Sequence, residues 1–338
     1  MFGKLKTFLY TEVYINVIAD LKKTTIYVEE VYSKSKSHNY EEVFETAEQN
    51  KINRYITQMS KKSPLHYISV LDTSIFQGAT PTCKSVEMAP FCDLGVVSHI
   101  CYTKQWGYYT SKMDVHEYQK RYAKVGIDYL FSPFLLLVNF FKEKISEDLS
   151  LYILIDNDFI SLSVFNNSKL LFAQQIDMDN QNEFQDELLA EDDMDEEELT
   201  LDGVSINLED IDVTESMEDL DDFDNIEDLD TFDEMDEFSE DEDEEIGDNA
   251  EDEEINLEDN TGFGDDYHRF SLIQSAIKKF YMDDIFKSDF VQKVYIADAV
   301  GMSNELKKFL EEEMYLNVFI RKIDLGVELC EAAKAEKR

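Results

Sequence analysis

The sequence contains no lysine or arginine between Lys169 and Arg269, yet 44 of its 75 aspartates and glutamates fall in this interval. Such a run of like charges repels itself and disfavours a compact core. It divides the 338 residues into an acidic insert, residues 177–268, and a remainder of about 245 residues. The remainder carries 31 acidic and 31 basic residues, so the net charge of −44 belongs to the insert.

The charge distribution argues against nucleic acid as a direct ligand, because phosphate backbones are bound by basic surfaces. An anionic membrane surface would also repel the insert. The longest apolar run, Tyr129–Phe141, is shorter than the roughly 20 residues that span a bilayer, and Pro133 fits the first turn of a buried helix. The N-terminus lacks the pattern of a signal peptide. The expected location is therefore the cytoplasm, without membrane insertion.

Four cysteines are present, at Cys83, Cys92, Cys101 and Cys330. Cytoplasmic cysteines are most often reduced, which is the first expectation here. A zinc site needs closely spaced ligand pairs, which the even spacing of the first three does not provide, so no metal site is predicted. A disulfide between two of the first three remains as an alternative.

Outside the insert, apolar periodicity predicts a mixed α/β protein. A strand pair within residues 8–32 turns at Asp20–Lys23, and a second strand pair within Leu151–Ile176 has Asp156 at the end of its first strand. Helices are expected to follow each pair, which predicts a duplicated α/β core. The other expected elements of the first half are a helix over 40–61, a strand over 65–72, a loop over 73–83, and helices over 115–126 and 132–145. Those of the second half are a helix from Arg269, a strand over 291–299, a helix capped by Ser303, a strand over 316–323 and a terminal helix.

The second half resembles the actin-like superfamily of actin, heat-shock chaperones and sugar kinases. More narrowly, it resembles the PilM and GspL-type proteins of type IV pilus and type II secretion machines. The resemblance rests on the order and spacing of Leu151–Ile176, Arg269–Met282 and Val291–Ile320, and covers roughly residues 128–330 without the insert. In the first half, Ile15–Val31 stands where the first phosphate-binding hairpin is expected. The resemblance implies a duplicated actin-like, ribonuclease H-like fold.

The phosphate-binding motifs depart from this family. In nucleotide-binding members, glycines let backbone N–H groups close on phosphate oxygens. Here Asp158 takes the place of a glycine, Phe159 crowds the same turn, Asp20–Thr24 lacks a glycine, and only Gly301 remains of a pair expected near Ala297–Ala299. The residues that the resemblance places at such a vestigial nucleotide site are Asp20, Thr24, Asp156, Asp158 and Gly301.

Two interpretations of Asp20 and Asp156 stay open. Aspartates at strand ends commonly cap turns, and the alternative is a weak nucleotide site. No catalytic residue, metal or cofactor is predicted, with Mg-ATP as the alternative cofactor.

The insert contains an apolar residue at every third position, separated by acids. Because a helix turns 100° per residue, residues spaced three apart are spread around the helix axis and do not form one apolar face. A disordered loop is the first interpretation, a recognition segment that orders on a basic, apolar partner is the second, and a calcium site lacks the necessary loop pattern. The residues of this recognition segment are Met217, Leu220, Phe223, Ile226, Leu229, Phe232, Met235 and Phe238.

The predicted domains are residues 1–149 as the first actin-like half, 150–176 with 269–325 as the second, 177–268 as the insert and 326–338 as a C-terminal helix. The resemblance implies a non-catalytic assembly protein of a type IV pilus, type II secretion or DNA-uptake apparatus. It would bind the cytoplasmic, PilN-like tail of a bitopic inner-membrane protein and lie peripherally at that membrane, with the insert contacting a second protein such as the motor ATPase. The alternative is an actin-like ATPase or small-molecule kinase that binds Mg-ATP between its halves.

Overall fold

A computed structural model describes residues 11–33, 36–102, 104–178, 259–286, 289–301 and 304–337. These described residues all belong to one compact unit. The strands are β1 (Glu12–Ala19), β2 (Lys23–Ser33), β3 (Lys36–Glu45), β4 (Leu65–Leu71), β5 (Gln77–Thr80), β6 (Val97–Tyr102), β7 (Trp106–Ser111), β8 (Tyr129–Phe131), β9 (Ser150–Ile155), β10 (Phe159–Asn166), β11 (Lys169–Asp177), β12 (Lys293–Asp298) and β13 (Asn317–Lys322).

The helices alternate with these strands in the described ranges. They are α1 (Gln49–Ser60), α2 (Ser85–Met88), α3 (Lys112–Arg121), α4 (Pro133–Phe140), α5 (Asp259–Met282), α6 (Glu305–Glu312) and α7 (Leu325–Glu336), with a 3-10 helix at Asp284–Phe286. No helix in the described ranges is both long enough and apolar enough to cross a bilayer.

Two five-stranded sheets repeat one plan. The first has the order β3-β2-β1-β4-β8 and the second the order β11-β10-β9-β12-β13. In each, the first three strands along the chain are antiparallel neighbours and the last two are parallel to the first. This repetition confirms the predicted duplicated α/β architecture. A small antiparallel sheet, β5-β7-β6, lies within the first half.

The main core lies between the halves. Helix α4 is apolar on all sides and buried, as its sequence predicts for a core helix. It packs in one cluster with residues of both sheets, including Tyr14, Tyr152 and Tyr295, and with Leu329 of α7. The opposite face of the first sheet packs on α1 through Ile52 and Ile56. The domain boundaries predicted from the sequence stay predictions.

The predicted helix over 40–61 is wrong in its first part. Residues 36–45 form β3, which pairs antiparallel with β2 in a register that places Val43 opposite Thr25. Val43 is exposed, so the apolar spacing that imitated a helical face reflects an edge strand instead. Ladder hydrogen bonds to β2 outweigh the local preference.

The segment 151–176 holds three strands, where two were predicted. A second turn at Asn167 and Ser168 separates β10 from β11, and both residues have positive φ angles of 48° and 66°. Asparagine tolerates this conformation, which suits tight hairpin turns. The predicted loop over 73–83 likewise contains β5, and the predicted helix over 132–145 ends at Phe140.

Three further expectations need correction or fall outside the described residues. Helix α5 begins at Asp259, ten residues before the expected start at Arg269. Ser303 is not among the described residues; instead, the backbone N–H of Leu306 in α6 donates to Asp266 Oδ2 of α5 at 3.3 Å. Cys83 and Cys101 form a disulfide, so the expectation of reduced cysteines is wrong for this pair and the alternative holds.

Candidate functional site

The turn between β1 and β2 is held by its own hydrogen bonds. The Asp20 N–H donates to the Lys23 carbonyl at 2.8 Å, and the Thr46 hydroxyl donates to the Asp20 carbonyl at 2.9 Å. The buried Thr24 hydroxyl lies 3.0 Å from the Thr46 hydroxyl. The hydroxyl of Thr24, which was predicted to contact a nucleotide, therefore contacts Thr46, the residue that closes the turn.

The turn between β9 and β10 occupies the equivalent place in the second sheet. The Asp156 N–H donates to the Phe159 carbonyl at 3.0 Å, and the Asp156 side chain accepts a hydrogen bond from the backbone N–H of Asn157. Asp156 is only 5% exposed, and Phe159 is buried in the core. The Met178 N–H donates to the Asp158 carbonyl at 3.0 Å, which ties the end of β11 to this turn.

A hydrogen bond joins the two turns across the halves. The backbone N–H of Leu21 donates to Asp158 Oδ2 at 2.6 Å, over a sequence separation of 137 residues. A hydrogen bond from a backbone N–H to a carboxylate is of the strong, charge-assisted type. The carboxylate of the protein itself therefore occupies the position at which this N–H would face an anionic ligand.

Three carboxylates converge at this contact. Burial, with repulsion by Asp156 and Asp158, raises the pKa of Asp20 to about 7, although Lys23 opposes the shift. Burial also raises the pKa of Asp156 to about 6, against the effect of the Asn157 hydrogen bond, while Asp158 adds to the rise. Such shifts show that negative charge at this position is poorly compensated by the surrounding protein.

Gly301 lies at the end of β12, beyond this cluster of aspartates. Its N–H and that of Val300 donate to Asp298 Oδ1 at 2.8 and 3.0 Å, and its φ angle of +78° is one that glycine adopts readily. The structure thus brings Asp20, Asp156 and Asp158 together, turns Thr24 toward Thr46, and gives Gly301 a role in a turn built by Asp298.

A cavity of about 440 Å³ opens beside the Leu21–Asp158 contact, at the carboxyl ends of β1 and β4. Ligands of open α/β sheets commonly bind at this edge. We call it the acidic cavity, because the carboxylates in its wall are those of Asp20, Asp114, Glu117, Asp158 and Asp177. Leu21, Ile75 and Phe76 add apolar surface, and Arg121 is the basic side chain among the described residues of its wall.

The sequence-based prediction missed the contribution of α3 to this cavity. Asp114, Glu117, Tyr118 and Arg121 all line it, and their spacing of three, four and seven residues places them on one helical face. The Tyr118 hydroxyl accepts a hydrogen bond from the Thr73 N–H at 3.0 Å, which fixes this face against the end of β4. The spacing was visible in the sequence, but nothing local indicated which cleft the face would meet.

Family models cover most of the chain. A model described as a domain of unknown function, DUF8341, matches residues 151–338, and a second, the domain of unknown function DUF8569, matches residues 10–138. The chain belongs to the DUF8341 family. No curated protein matches the sequence.

Solved structures similar to this DUF8341 protein share little sequence with it. A Bacteroides thetaiotaomicron protein described as having an actin-like ATPase fold and unknown function is 10% identical, with a TM-score of 0.48, covering 97% of this chain and 98% of that one. A PilM-PilN type IV pilus biogenesis complex is 9% identical, with a TM-score of 0.47 and coverages of 94% and 89%. The ethanolamine utilization protein EutJ from Carboxydothermus hydrogenoformans is 7% identical, with a TM-score of 0.37 and coverages of 91% and 84%.

The apolar residues of the recognition segment, from Met217 to Phe238, lie outside the described residues of this DUF8341 protein. Within the described ranges, no three His, Cys, Asp or Glu side chains are grouped as metal ligands. The arrangement at the two turns can accept hydrogen bonds and attract positive charge, whereas a phosphate group would meet carboxylates there.

Proposed function

We propose that the protein is a non-catalytic assembly protein of a type IV pilus, type II secretion or DNA-uptake apparatus. In this role it binds the cytoplasmic tail of a bitopic inner-membrane protein and lies at the cytoplasmic face of that membrane through this partner. The acidic insert supplies a second protein-binding segment, with the motor ATPase as its proposed partner.

The hydrogen bond from the Leu21 N–H to Asp158 Oδ2 is the observation that carries this proposal. In phosphate-binding turns, backbone N–H groups of this kind are open to the ligand. Here the group is engaged by a carboxylate from the opposite half. The turns therefore contact one another where an ATP-binding member of the fold would hold phosphates between them.

The charges at the turns support the same conclusion. Two unit charges 4 Å apart interact by about 4 kcal/mol at an effective dielectric constant of 20. A triphosphate beside Asp156 and Asp158 would meet such repulsion at least twice, and binding it would also shift Asp20 further toward its protonated form. A protein that uses this fold to hold other proteins has no need to overcome that repulsion.

The proposal is tested by calorimetric titration of the full-length protein with ATP, with and without magnesium. We expect no binding at nucleotide concentrations up to about 1 mM, because no backbone donor is free at the Leu21 position. Micromolar, magnesium-dependent binding, or ATP hydrolysis above that of a buffer control, would refute the non-catalytic role.

A second experiment tests the partner. The cytoplasmic tails of single-span membrane proteins encoded beside the gene are synthesised as labelled peptides, and their binding is measured by fluorescence anisotropy. We expect one tail to bind in the micromolar range, and a scrambled peptide of the same composition to bind at least tenfold more weakly. Failure of every tail to bind would remove the support for an assembly role.

A further inference from the structure

We propose that the acidic cavity is the binding site for a cationic, apolar peptide segment, whose lysine or arginine side chain enters the cavity while a neighbouring apolar residue packs on its rim. The inference rests on the proposed function, since it names the chemistry of the partner tail and the place where that tail binds.

The first argument is charge. Among the described residues that line the cavity there are four carboxylates besides that of Asp177, and one basic side chain, the guanidinium of Arg121. Burial, followed by repulsion from Asp72 and Glu117, raises the pKa of Asp114 above its ordinary value, although a hydrogen bond from Ser74 opposes the shift. The wall therefore holds more negative charge than its own residues compensate, and a positively charged ligand relieves this imbalance.

The second argument is the state of individual oxygen atoms. Asp20 Oδ1 and Asp114 Oδ2, on two side chains that line the cavity, are both buried and have no hydrogen-bond partner in the described part of the chain. Asp156, which is 5% exposed and is not itself a lining residue of the cavity, also has an oxygen without a partner in the described residues, Oδ2. Buried polar atoms are nearly always paired, and the ionised form of these carboxyl groups can only accept, so donors are needed to stabilise that form. A lysine ammonium offers three donors and an arginine guanidinium five.

The third argument is the rim. Leu21, Ile75 and Phe76 line the cavity and keep 67%, 47% and 76% of their surfaces exposed. Three large apolar side chains around one charged cavity form a surface for an apolar neighbour of the cationic residue. A metal ion would need none of this apolar surface, so the combination favours a peptide.

The chemistry of a membrane-protein tail fits the site. Cytoplasmic segments within about 15–20 residues of a membrane span are enriched in lysine and arginine. Such a segment carries the positive charge that the cavity lacks, and its residues nearer the membrane supply apolar side chains. Charge complementarity of this kind fixes the register of a partner and speeds its association.

The test uses a synthetic probe, the fluorescein-labelled peptide Leu-Lys-Arg-Phe-Leu-Arg with blocked ends, titrated with the full-length protein. We expect saturable binding in the micromolar range that weakens at least fivefold between 50 and 300 mM salt, since screening reduces exposed charge interactions. A peptide with glutamate at the three basic positions should not bind, and one with alanine at the three apolar positions should bind several-fold more weakly.

Variants locate the site. Asp114→Asn combined with Glu117→Gln removes two cavity charges and should weaken binding of the basic probe about tenfold. The matched control, Glu41→Gln with Glu42→Gln, removes the same charge from exposed positions of β3 and should leave binding within twofold. If the double variant does not fold, Phe76→Ala provides an independent test, because it removes an exposed apolar side chain from the rim of the cavity.

The outcomes separate this inference from the proposed function. If the cavity variant and the control variant bind the basic probe equally well, or if the acidic peptide binds, the acidic cavity is not the site for a basic segment. This conclusion holds even if a natural tail binds elsewhere on the protein. Binding of the basic probe that is lost in the cavity variants supports the site, even if none of the tails encoded nearby binds. Magnesium-dependent ATP binding that is altered by the substitutions at Asp114 and Glu117 would overturn both the peptide-binding site and the non-catalytic function.

Discussion

The aspartates at the strand ends differ in how their oxygens are satisfied. Asp72 and Asp298 stand at equivalent ends of β4 and β12, and each accepts a backbone N–H from the residue two positions later, at 3.0 Å in both cases. Asp20 and Asp156, at the ends of β1 and β9, each leave one buried oxygen without a partner in the described structure. Turn capping therefore accounts for the side chains of Asp72 and Asp298, but only in part for those of Asp20 and Asp156.

The stability of the protein should depend on pH through Asp20. Its folded pKa of about 7 lies above the unfolded value of about 3.9, so the folded state binds the proton more tightly. The stability that this residue contributes is present below pH 4 and is lost as the pH rises through 7. Asp20→Asn should remove this dependence and raise the melting temperature at pH 8 by a few degrees, on the order of 1 kcal/mol after allowance for solvent screening.

The measurement is the melting temperature between pH 5 and pH 8 for the wild type and Asp20→Asn. Glu41→Gln, on an exposed edge strand, is the control and should follow the wild-type curve. Parallel curves for the wild type and Asp20→Asn would show that Asp20 does not titrate in this range.

At the scale of elements, the C-terminal helix completes the first half of the molecule. Helix α7 packs on the first sheet, where Lys334 Nζ contacts Glu29 Oε2 at 2.7 Å and Cys330 Sγ lies 3.0 Å from the same oxygen. Gly326, in the first turn of the helix, lies directly against Tyr27. The last element of the chain therefore depends on a strand near its beginning.

Gly326→Ala should destabilise the protein, although alanine favours helices. A Cβ at this position would lie 2.6 Å from Tyr27 Cβ, which is close to the backbone and cannot move independently of it. We expect a loss of about 1–3 kcal/mol, as for other overpacked sites. The matched control is Gly264→Ala in α5, where an added Cβ meets nothing within 4 Å, and it should stabilise by up to about 1 kcal/mol. Urea denaturation measures both; equal effects would contradict the packing argument.

The disulfide closes a segment that contains α2 and ends within β6. Cys83 and Cys101 are 18 positions apart, and closing a loop of this length stabilises the folded state by about 3 kcal/mol in the chain-entropy model. Reduction, or Cys83→Ser with Cys101→Ser, should lower the melting temperature by several degrees. Cys92→Ser, a change at a free cysteine, is the control and should not abolish the effect of reductant. A melting temperature insensitive to reductant would count against the bond.

At the scale of the whole molecule, the acidic insert separates two elements that touch. His268 Nε2 of α5 lies 3.1 Å from the Met178 carbonyl oxygen at the end of β11. Long insertions between close points on a surface cost little in loop-closure entropy. The two-sheet plan can therefore accommodate the insert without a change in strand order.

Replacing residues 182–255 with a glycine–serine linker long enough to reach the start of α5 should leave the melting temperature within about 2 °C of the wild type, because the contact of His268 with Met178 holds α5 against the end of β11. Binding of a membrane-protein tail should persist, and binding of the motor ATPase should be lost. A second variant with serine at the eight apolar positions from Met217 to Phe238 keeps the charge and should also lose the motor ATPase. Loss of tail binding in the linker variant would contradict the separate roles proposed for the two regions.

Local patterns in the sequence predicted most of the secondary structure of the second half and the first hairpin. They failed at β3 and at the extra turn within 151–176, where the outcome depends on pairing with a neighbouring strand. The family resemblance, and not local periodicity, assigned Asp20, Asp156 and Asp158 to one vestigial nucleotide site. Local patterns missed Asp114 and Glu117, since an acidic helical face is typical of any solvated helix.

The sequence alone determined most of the strands and helices outside β3 and the turn within 151–176, the repeated strand pairs, and the collection of negative charge in one insert, because these follow from local periodicity and composition. The tertiary structure decided which groups meet across the cleft. Asp158 reaches the Leu21 N–H over 137 residues of chain, and α3 brings its carboxylates to the same cavity. Local periodicity indicates which side of a helix or strand is buried. The partner that this side contacts depends on how the two halves pack, and this packing brings the carboxylates together in the acidic cavity.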